Sequence, residues 1–187
     1  MPRTTDQLTR ISKFLSLHLR HQPERLGLTL GPGGWVAVDD LLRGAQQRGF
    51  SISRDELDAV VRENDKQRFS LDASGTLIRA NQGHSVEIDL QLAPLAPPVV
   101  LYHGTGEKSV GAIEREGLLK MQRHHVHLSA DVETARKVGG RHGRPVIFRV
   151  DTATMERDGF LFYRSENGVW LVDSVPTRYL AVLASIS

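Results

Sequence analysis

The segment Ala93-Pro94-Leu95-Ala96-Pro97-Pro98 constrains the fold of this chain more than any other feature. Proline has no backbone N–H to donate and favours extended backbone, so regular structure should stop there. The segment cuts 187 residues into two halves of similar size. Apolar residues are spaced as in helices before it, and cluster in β-branched runs after it. The expectation is an α+β protein with a lobe over 1–92, a linker over 93–98 and a lobe over 99–187.

Before the linker, Leu8, Ile11, Leu15 and Leu19 share one helical face, and Pro23 ends that helix. Arg20 and His21 then fall at its C-terminal end. Asp39 or Asp40 can cap a second helix that runs through Gln47 and closes at Gly49. Ser53 and Glu56 have capping-box spacing and open a third helix carrying Leu57, Val60 and Val61. Arg68 to Leu71 and Thr76 to Arg79 flank Asp72-Ala73-Ser74-Gly75 as a β-hairpin. Three helices and then a hairpin suggest a winged helix.

After the linker, strands are expected over 99–102, 146–150, 160–163, 169–172 and 179–183. Val126 to Ser129 alternates as a half-buried strand does. Two short helices fit between, Ser109 to Glu116 ended by Gly117, and Val132 to Val138 ended by Gly139. This half reads as a mixed, strand-rich lobe.

Net charge is only +2, so no global field marks a nucleic-acid binder. Locally, Lys120 to Arg149 holds seven Lys or Arg and four His against Asp131 and Glu133. The chain has no cysteine, which excludes disulfides, thiolate zinc and a cysteine nucleophile. That composition suits a reducing cytoplasm. No apolar run reaches membrane-spanning length, and the polar start is unlike a secretory signal.

Three basic, His-bearing or Arg-bearing stretches lie about fifty residues apart: 17–21, 64–69 and 121–129. Arginine binds phosphate through paired N–H donors, and imidazole adds a donor or moves a proton. One anion site assembled from these parts is the functional reading. Singly, Arg68 suits a solvated turn charge, and Arg20, His21 and Arg123 suit the complement of a helix dipole. His103-Gly104-Thr105 directly follows an expected strand, where glycine admits close approach of a ligand. A plain strand-end turn explains it too. His127 alone suits a satisfied core histidine. His124, His125 and His127 lack a nearby acidic ligand, so no metal site is expected. Gly31-Pro32-Gly33-Gly34 lacks the Lys-Ser/Thr of a phosphate loop and reads as a turn. Asn167-Gly168 is a tight-turn signal between two strands.

Taken in order, six pieces resemble the Tpt1/KptA family of RNA 2′-phosphotransferases. They are Leu19-Arg20-His21, Glu63 to Phe69, Asn81-Gln82-Gly83-His84-Ser85, Tyr102-His103-Gly104-Thr105, Arg123 to Ser129, and Ser165 to Trp170. The resemblance implies an N-terminal winged-helix lobe and a C-terminal ADP-ribosyltransferase-like mixed α/β lobe that binds NAD. It implies removal of an internal RNA 2′-phosphate, as left at a tRNA splice junction, with NAD consumed as co-substrate and no metal. ADP-ribosylated RNA is the implied intermediate, and nicotinamide and ADP-ribose 1″,2″-cyclic phosphate are the implied products.

The family's Arg-His-Arg-Arg set maps onto Arg20, His21, Arg68 and Arg123. His103, Gly104, Thr105, His127, Ser129, Asn167 and Val169 match its NAD-binding positions. The role of His21, clamp or proton carrier, stays open, as does that of Glu166. The implied partner is a tRNA-like RNA carrying a 2′-phosphate, and a monomer is favoured. The implied geometry is one phosphate site shared by both lobes. Two alternatives remain at this stage. One is an ADP-ribosyltransferase that caps terminal phosphates of RNA or DNA. The other is a winged-helix DNA-binding regulator that senses NAD, against which the mixed charge of the third helix argues.

Overall fold

A computed structural model describes residues 5–63 and 67–183. The expectations resting on Asn64, Asp65 and Lys66 lie outside the described residues. The chain forms two compact units, Met1–Gln91 and Leu92–Ser187. Both mix helices with small antiparallel sheets, as expected of an α+β protein.

In the first unit, α1 (Thr5–Arg20) buries Ile11, Leu15 and Leu19 along one face. Each such side chain contributes about 1.5–3 kcal/mol when fully withdrawn from water. The chain turns at His21 and enters a short 3-10 turn, Pro23–Leu26. Strand β1 (Val36–Ala37) leads into α2 (Val38–Gln47). The N-cap of α2 is Ala37, with no side-chain cap. Asp39 and Asp40 sit in its first turn instead, where a negative charge still favours the helix dipole. Helix α3 (Arg54–Arg62) opens on the expected capping box, with Ser53 Oγ and the Glu56 carboxylate each accepting from the other's backbone N–H.

The hairpin pairs β2 (Phe69–Leu71) with β3 (Leu77–Ala80), and β1 adds to the other edge of β3. Two-residue β1 has too little periodicity to be read from sequence. Gly33 and Gly34 both have positive φ, so the Gly31–Gly34 stretch is a turn.

In the second unit the Pro-rich stretch forms no helix or strand and is fastened down. Leu95 N–H donates to the Phe162 carbonyl at 2.8 Å, and Thr152 Oγ1 donates to the Pro98 carbonyl. Strand β4 (Val100–Gly106) runs four residues beyond the expected end. His103-Gly104-Thr105 therefore lies inside the strand, because β4 pairs along its whole length with a later strand. Helix α4 (Val110–Glu116) ends at Gly117, followed by β5 (Leu118–Leu119) and β6 (Val126–Leu128).

Helix α5 (Val132–Gly139) is capped by Asp131, whose carboxylate accepts from Thr134 N–H at 2.7 Å. Strand β7 (Pro145–Asp151) is the partner of β4. The six-residue α6 (Thr152–Arg157) was not expected, although Asp151 caps it. Strands β8 (Phe162–Arg164), β9 (Trp170–Val172), β10 (Ser174–Val175) and β11 (Leu180–Val182) complete the unit.

Three sheets result, in the orders β11-β7-β4, β6-β9-β8 and β10-β5. A Tyr102–Ser129 bridge joins the first two, with N–H···O distances of 2.9 and 2.7 Å. Leu101, Phe148, Met155, Phe162 and Trp170 are among the residues that fill the core. Among the described residues no helix is long and apolar enough to cross a membrane.

Candidate active site

In the first unit, three of the expected site residues meet one short segment, 81–86. The Arg20 carbonyl accepts from the Ser85 and Val86 N–H groups at 2.9 and 3.4 Å. His21 Nδ1 lies 2.9 Å from Ser85 Oγ. The Arg68 carbonyl accepts from Asn81 N–H at 2.9 Å. Asn81 Nδ2 donates to the Gln67 carbonyl at 2.7 Å. Gln67 has φ of 40°, a strained value for a residue with a side chain, and Asn81 helps hold it. The Arg20 guanidinium also lies 5.9 Å from the centre of the Phe69 ring, beside Arg68. The C-terminus of α1 and the start of β2 are thus tied together by residues that follow β3.

The neighbouring His18 is a satisfied core histidine. It is 7% exposed, and its Nδ1 meets the Phe14 carbonyl at 2.9 Å. Arg54 of α3 is committed to Asp58 at 2.9 Å and to the Gly75 carbonyl at 2.8 Å. Those ties disfavour a base-reading role for that helix.

In the second unit, β4 and β6 bring His103, Arg123, His127 and Ser129 together. His103 Nδ1 lies 3.0 Å from the His127 carbonyl. A carbonyl only accepts, so Nδ1 carries the hydrogen. Burial pushes the His103 pKa down and the Arg123 charge adds to that, against the hydrogen bond to His127. The ring is therefore neutral near pH 7, and Nε2 presents a lone pair. That atom suits a ligand hydroxyl or amide N–H. Arg123 Nη1 makes a long contact, 3.4 Å, with His127 Nδ1. Guanidinium only donates, so His127 offers its lone pair there. Arg123 sits in an exposed turn whose start is fixed by Lys120 bonding Asp173 at 2.6 Å.

Gly104 has a packing reason that its sequence context does not reveal. A Cβ there would lie 1.7 Å from the Ala135 carbonyl oxygen. One at Gly139 would lie 2.8 Å from the Thr105 oxygen. Helix α5 thus rests directly on the backbone of β4, and both glycines make room for it. Thr105 is buried, at 8% exposure.

The β8–β9 turn is built around Ser165. Gly168 N–H donates to the Ser165 carbonyl at 2.9 Å, and only Gly168 of the turn has positive φ. Asn167-Gly168 is therefore not the central pair of a two-residue primed turn, which needs positive φ at its first position. Ser165 Oγ lies 2.6 Å from Asn167 Oδ1 and accepts from Val169 N–H at 3.1 Å. This fixes Asn167 and Val169, while Glu166 is exposed. His125 packs 5.5 Å from the Tyr163 ring, and burial lowers its pKa. Among the described residues no group of three His, Asp or Glu side chains is placed to hold a metal.

Ser85 and Asn81 were not singled out as site residues from sequence, although both lie in the quoted Asn81 to Ser85 piece. The signal available was their position in that piece.

Residues 6–174 match the model of the RNA 2′-phosphotransferase, Tpt1/KptA family. The chain is 67% identical over 174 residues to a probable RNA 2′-phosphotransferase of Trichormus variabilis, covering 93% of this chain and 96% of the relative. It is 60% identical over 174 residues to one of Nostoc punctiforme, with the same coverage. It is 56% identical over 178 residues to one of Streptomyces griseus, covering 91% of this chain and 94% of the relative. With nearly its whole length matched, the chain belongs to the RNA 2′-phosphotransferase, Tpt1/KptA family.

Proposed function

We propose that this protein is an NAD-dependent RNA 2′-phosphotransferase acting in the cytoplasm as a monomer on a tRNA-like RNA. The observation that carries the reading is the fastening of Arg20, His21 and Arg68 to one segment, in a chain matched to the family over 6–174. The first unit, three helices followed by a hairpin, is read as a winged helix, and the second as an ADP-ribosyltransferase-like lobe.

NAD supplies an electrophilic ribose carbon: the RNA 2′-phosphate bonds to it as nicotinamide leaves, and the ribose 2″-hydroxyl then displaces the RNA 2′-oxygen from phosphorus. The proton of that hydroxyl ends on the RNA 2′-oxygen, which balances the exchange. The donor set of the second unit fits such a group. The neutral His103 Nε2 accepts from a hydroxyl or amide. Ser129, Thr105, His127 and the fixed Asn167 and Val169 offer short polar or backbone partners around β4, β6 and the β8–β9 turn.

In this reading Arg20, Arg68 and Arg123 are each assigned to donate to phosphate oxygens, as the resemblance implies. A phosphate dianion is already a nucleophile, so the first step needs positioning more than a base. The second step concentrates charge on phosphoryl oxygens, which arginine donors stabilise. His21 binds the same phosphate or carries the proton.

The test is incubation with an internally 2′-phosphorylated oligoribonucleotide, with and without NAD, in EDTA. Dephosphorylation that requires NAD and survives EDTA supports the reading. Full activity without NAD, or loss in EDTA restored by magnesium, overturns it. A stable ADP-ribosylated terminal phosphate as end product favours the capping alternative.

A further inference from the structure

We infer that a basic face of the second unit, made by Lys108, Arg136, Lys137, Arg141 and Arg144, holds backbone phosphates of the RNA that flank the 2′-phosphorylated nucleotide. The inference rests on the transferase reading above and adds to it a length of RNA that the candidate site residues do not engage. Of the seven Lys or Arg between Lys120 and Arg149, that reading uses only Arg123. Arg136, Lys137, Arg141 and Arg144 belong to the same run.

The fold brings the five cations to one place. Arg136 and Lys137 lie in the last turn of α5, and Arg141 lies in the 3-10 turn Gly140–His142 that follows it. Arg144 precedes Pro145, which pairs with Gly106 at the end of β4. The Arg144 carbonyl accepts from Glu107 N–H at 3.0 Å, and Lys108 is the next residue. Helix α5 closes onto β4 so tightly that a Cβ at Gly139 would stand 2.8 Å from the Thr105 oxygen. The ends of α5 and β4 therefore share one surface, on which all five cations are exposed. It begins three residues along β4 from His103, or about 10 Å at the usual strand rise.

Within residues 105–108 and 132–144 the only carboxylates are Glu107 and Glu133. Glu133 pairs with Lys137 at 2.6 Å, and Glu107 stands 4.0 Å from Arg144. Both pairs are exposed, so each contributes little in water and yields readily to a phosphate. Lys108, Arg136 and Arg141 meet no carboxylate among the described residues. The dipole of α5 accounts for Arg136 and Lys137, which sit at its C-terminus. It does not account for Lys108, Arg141 and Arg144. Like charges gathered this way repel one another until a polyanion shares them. NAD carries a single pyrophosphate, whereas five cations spread over two element ends match a chain of phosphodiesters.

The experiment compares wild type with a triple variant, Arg136→Gln with Arg141→Gln and Arg144→Gln, and with Glu133→Gln. Two RNAs are used, a trinucleotide with an internal 2′-phosphate and a long oligoribonucleotide built around it. Fluorescence anisotropy without NAD gives Kd for each over a series of salt concentrations. Each phosphate contact on a single strand contributes about 0.7 to the slope of log Kd on log salt. The triple variant should therefore lose about 2 from that slope with the long RNA. A fourfold rise in salt should then weaken wild-type binding about 20-fold more than the variant's. Its Kd for the trinucleotide and its KM for NAD should change less than about twofold. Glu133→Gln releases Lys137 and should bind the long RNA about twofold more tightly, which decides the matter if the triple variant does not fold. Long-RNA affinity and salt slope unmoved in both proteins overturn the inference. So does a trinucleotide Kd weakened as much as that of the long RNA, or a raised KM for NAD with long-RNA binding intact, which assigns the face to the pyrophosphate. If wild type leaves the 2′-phosphate in place with NAD, the transferase reading fails instead, and the binding data still decide whether this face holds RNA.

Discussion

Replacing Gly104 by Ala separates packing from ligand approach at the most tightly built point of the second unit. The new Cβ would stand 1.7 Å from the Ala135 carbonyl oxygen, whereas ordinary contact begins at 3.4 Å. The obstacle is backbone, so no rotamer change relieves it. Helix α5 must retreat by about 1.7 Å, or β4 must leave its register with β7. Retreat uncovers Ala135, now fully buried, and loosens the Gly139 contact with Thr105. Overpacking usually costs about 1–3 kcal/mol, and a clash against main chain lies at or beyond the upper end. A loss of about 3 kcal/mol or more is expected, a large share of the roughly 5–15 kcal/mol that a domain has. Denaturant unfolding should show a lower midpoint for Gly104→Ala with an unchanged slope. A wild-type midpoint, with only ligand affinity reduced, would refute the packing account of this glycine.

Arg68→Ala and Arg123→Ala should each slow the second step more than the first, by about 2.7–4 kcal/mol, the usual cost of one donor to a developing oxyanion. Gel analysis should then show ADP-ribosylated RNA accumulating, and slow substrate decay with no intermediate at any time would contradict the assignment. Asn81→Ala releases the Gln67 carbonyl and should cost about 1 kcal/mol of stability while lowering kcat about tenfold through a misplaced Arg68, read from melts and kinetics on one preparation. His103 and His125 both have pKa values lowered in the fold from 6.5, chiefly by burial. The unfolded chain then binds more protons just below that value, so stability should fall as pH drops through about 6.5. His103→Gln should flatten that slope in denaturant midpoints, and an unaltered slope would discount His103.

What the sequence made legible was local. The α1 face, the Ser53–Glu56 capping box and the β2–β3 hairpin are each written within a few residues, and each forms as expected. The extent of β4 was not legible, because its last residues are strand only through pairing with β7 some forty residues on. Gly104 reads as a glycine for ligand approach, and its contact with α5 is a second reason that its sequence context does not carry. Asp39 and Asp40 resemble caps, but β1 runs straight into α2 and places them one and two residues inside. The candidate site residues were chosen by their types and order, whereas Ser85 and Asn81 make contacts 64 and 14 residues away. Such separations leave no periodic trace in the chain.

The central claim is that the phosphate leaves RNA by transfer to an acceptor and not by hydrolysis. The direct measurement is product analysis in water enriched in 18O, using NAD and an internally 2′-phosphorylated oligoribonucleotide. The account predicts nicotinamide and ADP-ribose 1″,2″-cyclic phosphate in equal amounts, a plain 2′-hydroxyl on the RNA, and no solvent oxygen in the phosphate. Inorganic phosphate carrying 18O as the first product would contradict it.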